Sequence, residues 1–582
     1  MVEVIKSPIV KKINDNMEGL EEFQHSLSKE KEKEILLEFP TVYIHNWENT
    51  NDYEIYIGES NNIVQRTKQH YKIGLDKEKW QHQLRKKKAS LYIIGHEHFN
   101  KSLTLDIENR LMLYMMSVEH VRRIHNLRGN PQRKYYPEAE MDSIFQMIWK
   151  KLQKDNKELF PSESKIKDSA VFKASPLHKL TEEQEMIKEC IIQKVLAALK
   201  EEKKEQLIFV EGEAGTGKTV LNSSTFYEIF SSAKEQGKKS LKCYMIVNHD
   251  EQITVYKQIA KKLGMANENE EIVCKPTSFI NRHDSDNLID VAFVDEAHLL
   301  LTQGKQSYRG NDQLHDIIQR AKVTVVMFDE NQILTTEQYW EAQKLEYYRK
   351  VSKKQKNYFE LKNQLRMKAS KEIMKWIDDF TKNRRLSQIP KEQTGYELKI
   401  FKSPYDLEKA LREKILYEEH KLSRLIATYD WEYKSNASPE ERISKYWEVM
   451  IGNWHMPWNR ELDKTLDRKT RKINKSLSWA EQPQTIGEVG STFTIQGFDL
   501  SYAGVILGPS VKYRDGRIVF DPTASCNTKA VQNRTLSDGS KKKFGKILIQ
   551  HEVRVLMTRG VEGLYIYACD PELQKALLNA QV

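Results

Sequence analysis

The stretch LIFVEGEAGTGKT, residues 207–219, decides the fold of the larger part of this chain. Its apolar beginning predicts a buried strand, and the residues after it predict a helix. Between them lie three glycines that let backbone amides close around phosphates, namely Gly212, Gly215 and Gly217. Lys218 would neutralise the terminal phosphates and the Thr219 hydroxyl would hold Mg²⁺. Strand, loop and helix in this order predict a nucleotide site at the edge of a parallel sheet.

A second predicted strand ends in VDEAHLL, residues 294–300. Its end places Asp295 and Glu296 at the sheet edge where open α/β folds bind ligands. Asp295 would coordinate Mg²⁺ through water, and Glu296 would orient the attacking water. The alternative is that both acids only stabilise a helix start, but Lys218 upstream favours the nucleotide site.

The chain of 582 residues is too long for a single core. Short apolar strands alternate with helical stretches after residue 176, which predicts a multidomain α/β protein with two parallel-sheet lobes. The predicted order is a charged helical leader (1–38), a small α+β block (39–136), a helical connector (137–175), a first lobe (176–350), and a second lobe with helical insertions (351–582).

Composition restricts the partners only loosely. Lys and Arg outnumber Asp and Glu by 93 to 83, a net charge of +10, which favours a polyanionic partner without deciding for one. The five cysteines form no CxxC pair, so the sequence suggests neither a zinc ribbon nor a disulfide framework. Because no signal-like or membrane-spanning apolar run occurs, we expect a soluble cytoplasmic protein that does not bind a membrane.

Seven short motifs follow one another in a characteristic order. They are Gln184 in LTEEQ, the phosphate loop, VDEAH, FDENQ with Asp329 and Gln332, QLRM with Arg366, TIQGFD with Gln496 and Gly497, and VLMTRG with Arg559. In order and spacing, this set resembles superfamily 1 helicases. More narrowly, it resembles the Schlafen-like DNA/RNA helicase domain of bacterial proteins, over residues 176–582.

The resemblance implies two RecA-like lobes that bind ATP between them. Gln184 would contact the adenine and Gln332 would sense the γ-phosphate, with Gln496 and Gly497 as further nucleotide-binding positions. Arg366 and Arg559 would act as arginine fingers, because a planar guanidinium can meet the charge that spreads over the phosphoryl oxygens. The alternative for each arginine is a surface ion pair. Lobe closure on ATP would then move a nucleic-acid strand.

Aromatic and basic residues interleave in residues 431–460. Stacking on bases is one use of such a segment, but packing inside the lobe is the interpretation we prefer.

The stretch VYIHNWENTNDYEIYIGES, residues 42–60, predicts two strands whose aliphatic residues alternate with Tyr43 and Tyr56. In an antiparallel hairpin, only registers whose paired numbers add to an odd value set apolar against apolar. A sum of 99 would put Tyr43 directly opposite Tyr56. We therefore expect both phenols side by side on one face.

Further residues of this block carry polar side chains at positions that could form a site. Arg66 and His70 lie one helical turn apart. Glu108 shares a helical stripe with apolar residues, so a salt bridge or a metal must meet it. His96 and His98 in GHEHF have no third ligand nearby, which favours a surface turn over a metal site.

Together these residues resemble the GIY-YIG nuclease family over roughly 40–136. TVY, 41–43, stands for the first tripeptide with Thr41 in place of glycine, and YIG, 56–58, is intact. Arg66 and His70 match the family's arginine and histidine, Glu108 its metal-binding glutamate, and Asn126 or Asn130 its asparagine.

By this resemblance, Glu108 and waters would bind one Mg²⁺ or Mn²⁺ that polarises the scissile phosphate. Tyr43 or a neighbouring group would help to deprotonate the water, Tyr56 would orient it, and Arg66 would stabilise the charge.

The prediction is an ATP hydrolase of helicase type joined to a metal-dependent endonuclease. It would act on DNA, with RNA left open, and antiphage defence in a bacterium is the predicted role. One alternative is a translocase or repair enzyme whose amino-terminal block only binds nucleic acid. Another is a switch in which ATP licenses the nuclease without translocation.

Overall fold

The computed structural model describes residues 5–48, 52–72, 88–126, 134–235, 241–265, 271–304, 308–391, 393–417, 422–434, 445–474 and 477–581. The chain divides into an N-terminal unit, Met1–Lys179 with Val255–Glu271, and a C-terminal unit, Leu180–Thr254 with Ile272–Val582. Within the described ranges, no helix combines the length and apolar character that crossing a bilayer requires.

The N-terminal unit is built on a five-stranded sheet. Its strands are β1 (Ile9–Asn14), β2 (Thr41–Glu48), β3 (Tyr53–Ser60), β4 (Ala89–Gly95) and β5 (Val121–Ile124). Their order is β1-β4-β2-β3-β5, antiparallel except that β5 lies parallel to β3. Its helices are α1 (Met17–Ser26), α2 (Glu30–Lys33), α3 (Ile63–Lys72), α4 (Lys101–Met116), α5 (Met141–Asp155), α6 (Glu163–Asp168) and α7 (Ala170–Lys173).

The leader is part of this unit, so the boundary predicted at residue 38 is wrong. Strand β1 pairs with β4, and α1 buries Leu20 and Phe23 against the sheet face that carries Tyr43 and Tyr56. Leu20 and Phe23 are three residues apart and therefore share one face of α1. The charged residues around them made this apolar face hard to see in the sequence.

The predicted hairpin forms with a different register. Paired numbers add to 101, so Tyr43 lies opposite Gly58, and His45 lies opposite Tyr56. The expected sum of 99 is therefore wrong, but the expectation of one shared face is confirmed because the two phenol rings stack with centroids 6.2 Å apart. The reason is steric: the Tyr43 ring crosses Gly58 so closely that a Cβ there would lie 2.5 Å from Tyr43 Oη.

The first lobe of the C-terminal unit is a parallel six-stranded sheet in the order β11-β6-β10-β9-β7-β8. Its strands are β6 (Gln206–Gly212), β7 (Cys243–Val247), β8 (Val273–Cys274), β9 (Ile289–Asp295), β10 (Ala321–Phe328) and β11 (Tyr358–Leu361). The helices from this part of the chain are α8 (Glu182–Lys200), α9 (Lys218–Glu235), α10 (Asp250–Lys262), α11 (Pro276–Arg282), α12 (Gln313–Ile318) and α13 (Ala342–Lys354). Because β11 pairs with β6, this lobe extends beyond the boundary predicted at residue 350.

The second lobe holds a parallel four-stranded sheet in the order β12-β21-β16-β13 and three hairpins. Its strands are β12 (Glu397–Ile400), β13 (Arg424–Ala427), β14 (Glu448–Ile451), β15 (Trp454–Pro457), β16 (Leu500–Leu507), β17 (Val511–Arg514), β18 (Arg517–Phe520), β19 (Asn533–Thr535), β20 (Lys541–Lys543) and β21 (Gly560–Ala568). Its helices are α14 (Lys371–Thr381), α15 (Pro404–Ile415), α16 (Arg468–Asn474), α17 (Thr492–Ile495), α18 (Thr528–Val531), α19 (Gly545–Met557) and α20 (Pro571–Ala580).

The α/β fold class with two parallel-sheet lobes is confirmed. The preferred interpretation of the aromatic segment is also confirmed for its described part, because Trp447, Trp454 and Trp458 lie in the second lobe's core.

Candidate functional site

The phosphate loop joins β6 to α9 and needs its glycines for two reasons. Gly215 and Gly217 have φ values of +85° and +80°, which side-chain-bearing residues rarely adopt. A Cβ on Gly215 would lie 2.7 Å from Arg366 Cβ, and one on Gly217 would lie 2.2 Å from Gln184 Nε2. Gln184 and Arg366 therefore both lie against the phosphate loop.

Lys218 begins α9 and points back into the loop. Its Nζ donates to the carbonyl oxygens of Gly212 and Glu213, at 2.7 Å and 2.8 Å, and lies 3.6 Å from Asp329 Oδ2. Thr219 follows at the same helix start. The ammonium group of Lys218 and the hydroxyl group of Thr219 therefore both come from the start of α9.

The acids at the ends of β9 and β10 are buried beside the loop. Burial opposes the ionisation of Glu296, but the neighbouring His298 and Lys218 lower its pKa below the ordinary value. Lys218 likewise holds the pKa of buried Asp329 below its ordinary value. Asp295 is 1% exposed and ends β9, so the structure places both acids of VDEAH at the predicted edge.

Arg559 enters this site from the second lobe. It is fully buried, and its Nη2 donates to Gln332 Oε1 at 3.0 Å. Gln332 in turn donates to Asp329 Oδ2 at 2.9 Å. Burial lowers the pKa of Arg559 to about 10, so the side chain stays cationic at neutral pH. The predicted sensor and one predicted finger are therefore in direct contact.

The remaining predicted residues lie at the same junction. Gln496 donates to the Gln332 carbonyl oxygen at 3.2 Å, and Arg366 Nε lies 2.6 Å from Asp499 Oδ1. Gly497 has a φ of +86°, and a Cβ there would lie 2.7 Å from Gln252 Nε2. Gln496, Arg366 and Gly497 thus lie at the junction of the two lobes.

Arg554 is a residue of this junction that the motifs did not reveal. It lies on α19, is 5% exposed, and pairs with Asp378 and with Glu213 of the phosphate loop, the latter at 2.5 Å. Lys382 of the second lobe also pairs with Glu213. In the sequence, Arg554 could have been noticed as a cationic residue within the largely apolar helix α19. These pairs tie the phosphate loop to the second lobe.

A cavity of about 610 Å³ lies beside the nucleotide site between the two lobes. We call it the groove. Its first-lobe lining includes Asn248, Lys275 and Ser278, and its second-lobe lining includes Gln496 and Lys529. Amides, hydroxyls and lysines suit a phosphate backbone.

The N-terminal unit brings together a second group of predicted residues. Tyr43 Oη lies 3.1 Å from His70 Nε2, and Arg66 donates hydrogen bonds to both Tyr43 and Tyr56. Burial, reinforced by the charges of His45 and Arg66, lowers the pKa of His70 to about 3. Burial also raises the pKa of Tyr43 and of Tyr56. At neutral pH the site therefore holds two phenols, a neutral imidazole and one guanidinium.

Glu108 completes this group and is 2% exposed. Its Oε1 accepts a hydrogen bond of 3.0 Å from Asn126 Nδ2, which also donates to the Ile57 carbonyl oxygen at 2.7 Å. Asn126 therefore contacts the predicted metal-binding carboxylate, while Asn130 lies outside the described residues. Within the described ranges, no group of three or more His, Cys, Asp or Glu side chains could hold a metal. A single carboxylate completed by waters suits Mg²⁺, so Glu108 fits that ion.

Two residues behind the tyrosines were not predicted. His45 Nδ1 lies 2.7 Å from Asp15 Oδ2, and both side chains are fully buried. Asp15 Oδ1 also accepts a 2.7 Å hydrogen bond from Tyr71. Because Asp15 comes from the leader, only the sheet pairing of β1 brings it there.

The two histidines of GHEHF take no part in this group. The turn forms, but His96 is buried and bonds to the Lys6 carbonyl oxygen at 2.8 Å, so the expected surface position is wrong for it. His98 Nδ1 lies 2.5 Å from Glu140 Oε2. Hydrogen bonds to other residues of the N-terminal unit therefore hold this turn in place.

Comparisons with known proteins identify the family of the C-terminal lobes. The family model described as Schlafen group 3, DNA/RNA helicase domain, matches residues 205–570. The uncharacterized protein YPL245W of Saccharomyces cerevisiae is 30% identical over 438 residues, which cover 69% of this chain and 90% of the yeast protein.

Solved structures that match this chain at low identity include helicases. A structure of two coordinating Pif1 helicases at forked double-stranded DNA is 13% identical, with a TM-score of 0.26, and covers 69% of this chain and 96% of that chain. The Pif1 helicase from Candida albicans is 11% identical, with a TM-score of 0.27, and covers 69% of this chain and 99% of that chain.

Proposed function

Because this chain belongs to the Schlafen group 3 DNA/RNA helicase-domain family, we propose that it is an ATP-dependent nuclease-helicase that acts on DNA. Membership implies a nucleotide hydrolase. The observation that supports the motor is the direct contact of Arg559 with Gln332 beside the phosphate loop, because it links the second lobe to the γ-phosphate position.

Hydrolysis would use the residues of that junction. Lys218 and the loop amides would bind the phosphates, and Thr219 and Asp295 would hold Mg²⁺, which supplies charge neutralisation when bound. Glu296, whose pKa is lowered, is ionised at neutral pH and can orient the attacking water. Arg366 and Arg559 would meet the charge on the transferring phosphoryl group, at a benefit of roughly 10³-fold or more in rate.

The groove is the proposed path of the nucleic acid. It lies between the lobes, and Gln496 lines it while bonding to Gln332 of the nucleotide site. A change in lobe closure would therefore alter both the groove and the nucleotide site. DNA is the proposed strand, with RNA as the alternative.

The N-terminal unit is the proposed nuclease. Glu108 would hold Mg²⁺, which acts as a Lewis acid on the phosphate when bound. Tyr43, whose Oη lies 3.1 Å from His70 Nε2, or a neighbouring group would help to deprotonate the attacking water. Tyr56 would orient that water, and Arg66 would stabilise the charge of the pentavalent phosphate.

A second candidate is a binding-only N-terminal unit. The observation that favours it is burial, because Tyr43 is 1% exposed and Glu108 is 2% exposed. A substrate phosphate would need an opening to reach them. Antiphage defence stays a prediction under either candidate.

The test uses labelled linear and branched DNA with Mg²⁺, with and without ATP. We expect Glu108→Ala to abolish cleavage and leave ATP hydrolysis intact, and Lys218→Ala to abolish ATP hydrolysis. Exposed Glu119 and Lys204 supply matched controls as Glu119→Ala and Lys204→Ala.

Each part of the proposal has its own refutation. Cleavage that survives Glu108→Ala would refute the nuclease site. ATP hydrolysis that DNA does not stimulate would instead favour an ATP-gated switch without translocation.

A further inference from the structure

A second cavity, of about 680 Å³, opens next to the groove in the C-terminal unit. We call it the side pocket. It lies where the chain leaves β13, where it returns from β15, and at the start of α17. Phe493 and Lys529 line both the side pocket and the groove, so the two spaces adjoin.

Aromatic rings form the walls of the side pocket. Tyr429 meets Phe493 edge-on with ring centroids 5.4 Å apart, and the far side of Tyr429 packs against buried Trp458 at 4.8 Å. Tyr433 is half-buried in the same lining. Phe493 is 38% exposed, which is unusual for a ring of this size inside a folded lobe. Flat apolar walls beside an open space suit a planar ring.

A buried amide in this pocket lacks a partner in the described structure. Asn459 is 6% exposed, and its Oδ1 accepts a 2.6 Å hydrogen bond from Ser491, while its Nδ2 makes no hydrogen bond to any described residue. A buried donor without an acceptor costs about 1–3 kcal/mol, so native folds rarely keep one without a use. An acceptor on a ligand would satisfy it.

The backbone at this amide is also held in a costly conformation. Asn459 and Arg460 have φ values of +58° and +67°, so two successive residues other than glycine are left-handed. Each costs about 1 kcal/mol or more, and such residues cluster at ligand sites. Glu488 accepts hydrogen bonds from the backbone amides of Arg460 and Leu462, at 3.2 Å and 3.1 Å, which keeps the turn in place.

The charge around the side pocket is positive. Lys434, Arg460 and Lys529 line it, against the single acid Glu432, and Arg460 also pairs with Glu251. Lys529 Nζ stands 5.0 Å over the centre of the Phe493 ring. Cations at the rim and rings inside match a nucleotide, whose phosphate stays outside while its base enters.

We propose that the side pocket receives one unstacked nucleobase from a single strand lying in the groove. The inference rests on the proposed nucleic-acid function and adds a substrate feature to it. The base would stack on Tyr429, Tyr433 or Phe493, and Asn459 Nδ2 would donate to an oxygen or ring nitrogen on its edge. Stacking and a single donor suit every base, because each base presents at least one ring nitrogen or carbonyl oxygen that can accept.

The experiment scans one abasic position along a single-stranded tail joined to a duplex, which fixes the register. Binding to the full chain is measured by fluorescence anisotropy at constant salt, without ATP. We expect one tail position at which base removal weakens binding about tenfold. At that position alone, the fluorescence of 2-aminopurine should change on binding, because the base exchanges its neighbours in the strand for the rings of the side pocket.

Two variants test the pocket itself. Tyr433→Ala and Asn459→Ala should each bind the intact strand more weakly and lose the dependence on that one position. Lys275→Ala, which changes the groove alone, should weaken binding at all tail positions equally and keep the dependence.

The outcomes separate the two levels of inference. If the parent protein binds no single strand, the proposed function fails. If it binds but every abasic position behaves alike, or if Tyr433→Ala and Asn459→Ala both keep the dependence, the side pocket takes no base and the proposed function stands.

Discussion

Replacing Gly58 by alanine tests whether the hairpin register governs the proposed nuclease. Gly58 lies opposite Tyr43, and the added Cβ would stand 2.5 Å from Tyr43 Oη and 2.6 Å from its Cζ. Ordinary contact begins near 3.4 Å, so the ring must move by about 0.9 Å (3.4 minus 2.5).

That movement has a calculable effect. Tyr43 is 1% exposed, so its ring cannot turn into solvent. A shift of this size away from Gly58 would strain the 3.1 Å contact between Tyr43 Oη and His70 Nε2. Overpacking costs about 1–3 kcal/mol and a lost hydrogen bond about 1 kcal/mol, which gives about 2–4 kcal/mol of destabilisation. A misplacement of about 1 Å also lowers a catalytic rate by roughly 10²-fold.

The assays are urea unfolding followed by tryptophan fluorescence and single-turnover cleavage of labelled DNA. We expect the transition of the N-terminal unit to shift to lower urea and cleavage to fall by about two orders of magnitude, while ATP hydrolysis stays unchanged. Gly487→Ala is the matched control, because among the described residues a Cβ there would lie within 4 Å only of Leu462 Cδ1, at 3.5 Å.

A Gly58→Ala protein with the parent's unfolding midpoint would refute the register. If the variant is destabilised and still cleaves at the parent's rate, the register is right and Tyr43 has no part in cleavage.

Three further predictions concern buried charges. Burial, with Asp430 nearby, raises the pKa of Glu552 to about 8, so the folded state binds this proton more tightly than the unfolded state. The free energy of unfolding of the parent protein should therefore fall as pH rises from about 5 to 8. Glu552→Gln should remove much of that fall. Unfolding midpoints of both proteins at about pH 5.5 and 8 test this expectation. Arg554→Gln should lower ATP turnover about tenfold, or about 1.4 kcal/mol, because the link between Glu213 and the second lobe is lost. The double variant Glu213→Arg with Arg554→Glu should restore part of the lost ATP turnover. A turnover no better than in the single variants would count against the ion pair between residues 213 and 554. Asp15→Asn should destabilise the N-terminal unit by about 3 kcal/mol, since Asp15 accepts hydrogen bonds from both His45 and Tyr71; a normal urea midpoint would contradict this.

The nucleotide site was readable from the sequence because its predicted residues lie in contiguous runs. A loop of glycines with Lys218 and Thr219 must follow a strand, and the acids Asp295 and Asp329 must end strands, so local pattern fixes both identity and place. Arg554 escaped because its role depends on where α19 packs in the folded lobe. No local spacing marks a cation whose partner, Glu213, lies 341 residues away.

The N-terminal unit shows the same division. Alternation placed Tyr43 and Tyr56 on one face, because side chains in a strand repeat with a period of two. Alternation cannot distinguish a sum of 99 from one of 101, since both keep apolar residues together. The ring of Tyr43 over Gly58 selects between them.

The sequence by itself therefore determined the α/β class, the nucleotide-binding loop and the residues that could carry each chemistry. Only the tertiary structure decided that the charged leader belongs to the first sheet, that β11 extends the first lobe, and that a buried amide at Asn459 faces an aromatic pocket. The physical reason is that local pattern records which face of an element is apolar. It does not record which distant element covers that face, and that pairing is set by packing over the whole unit.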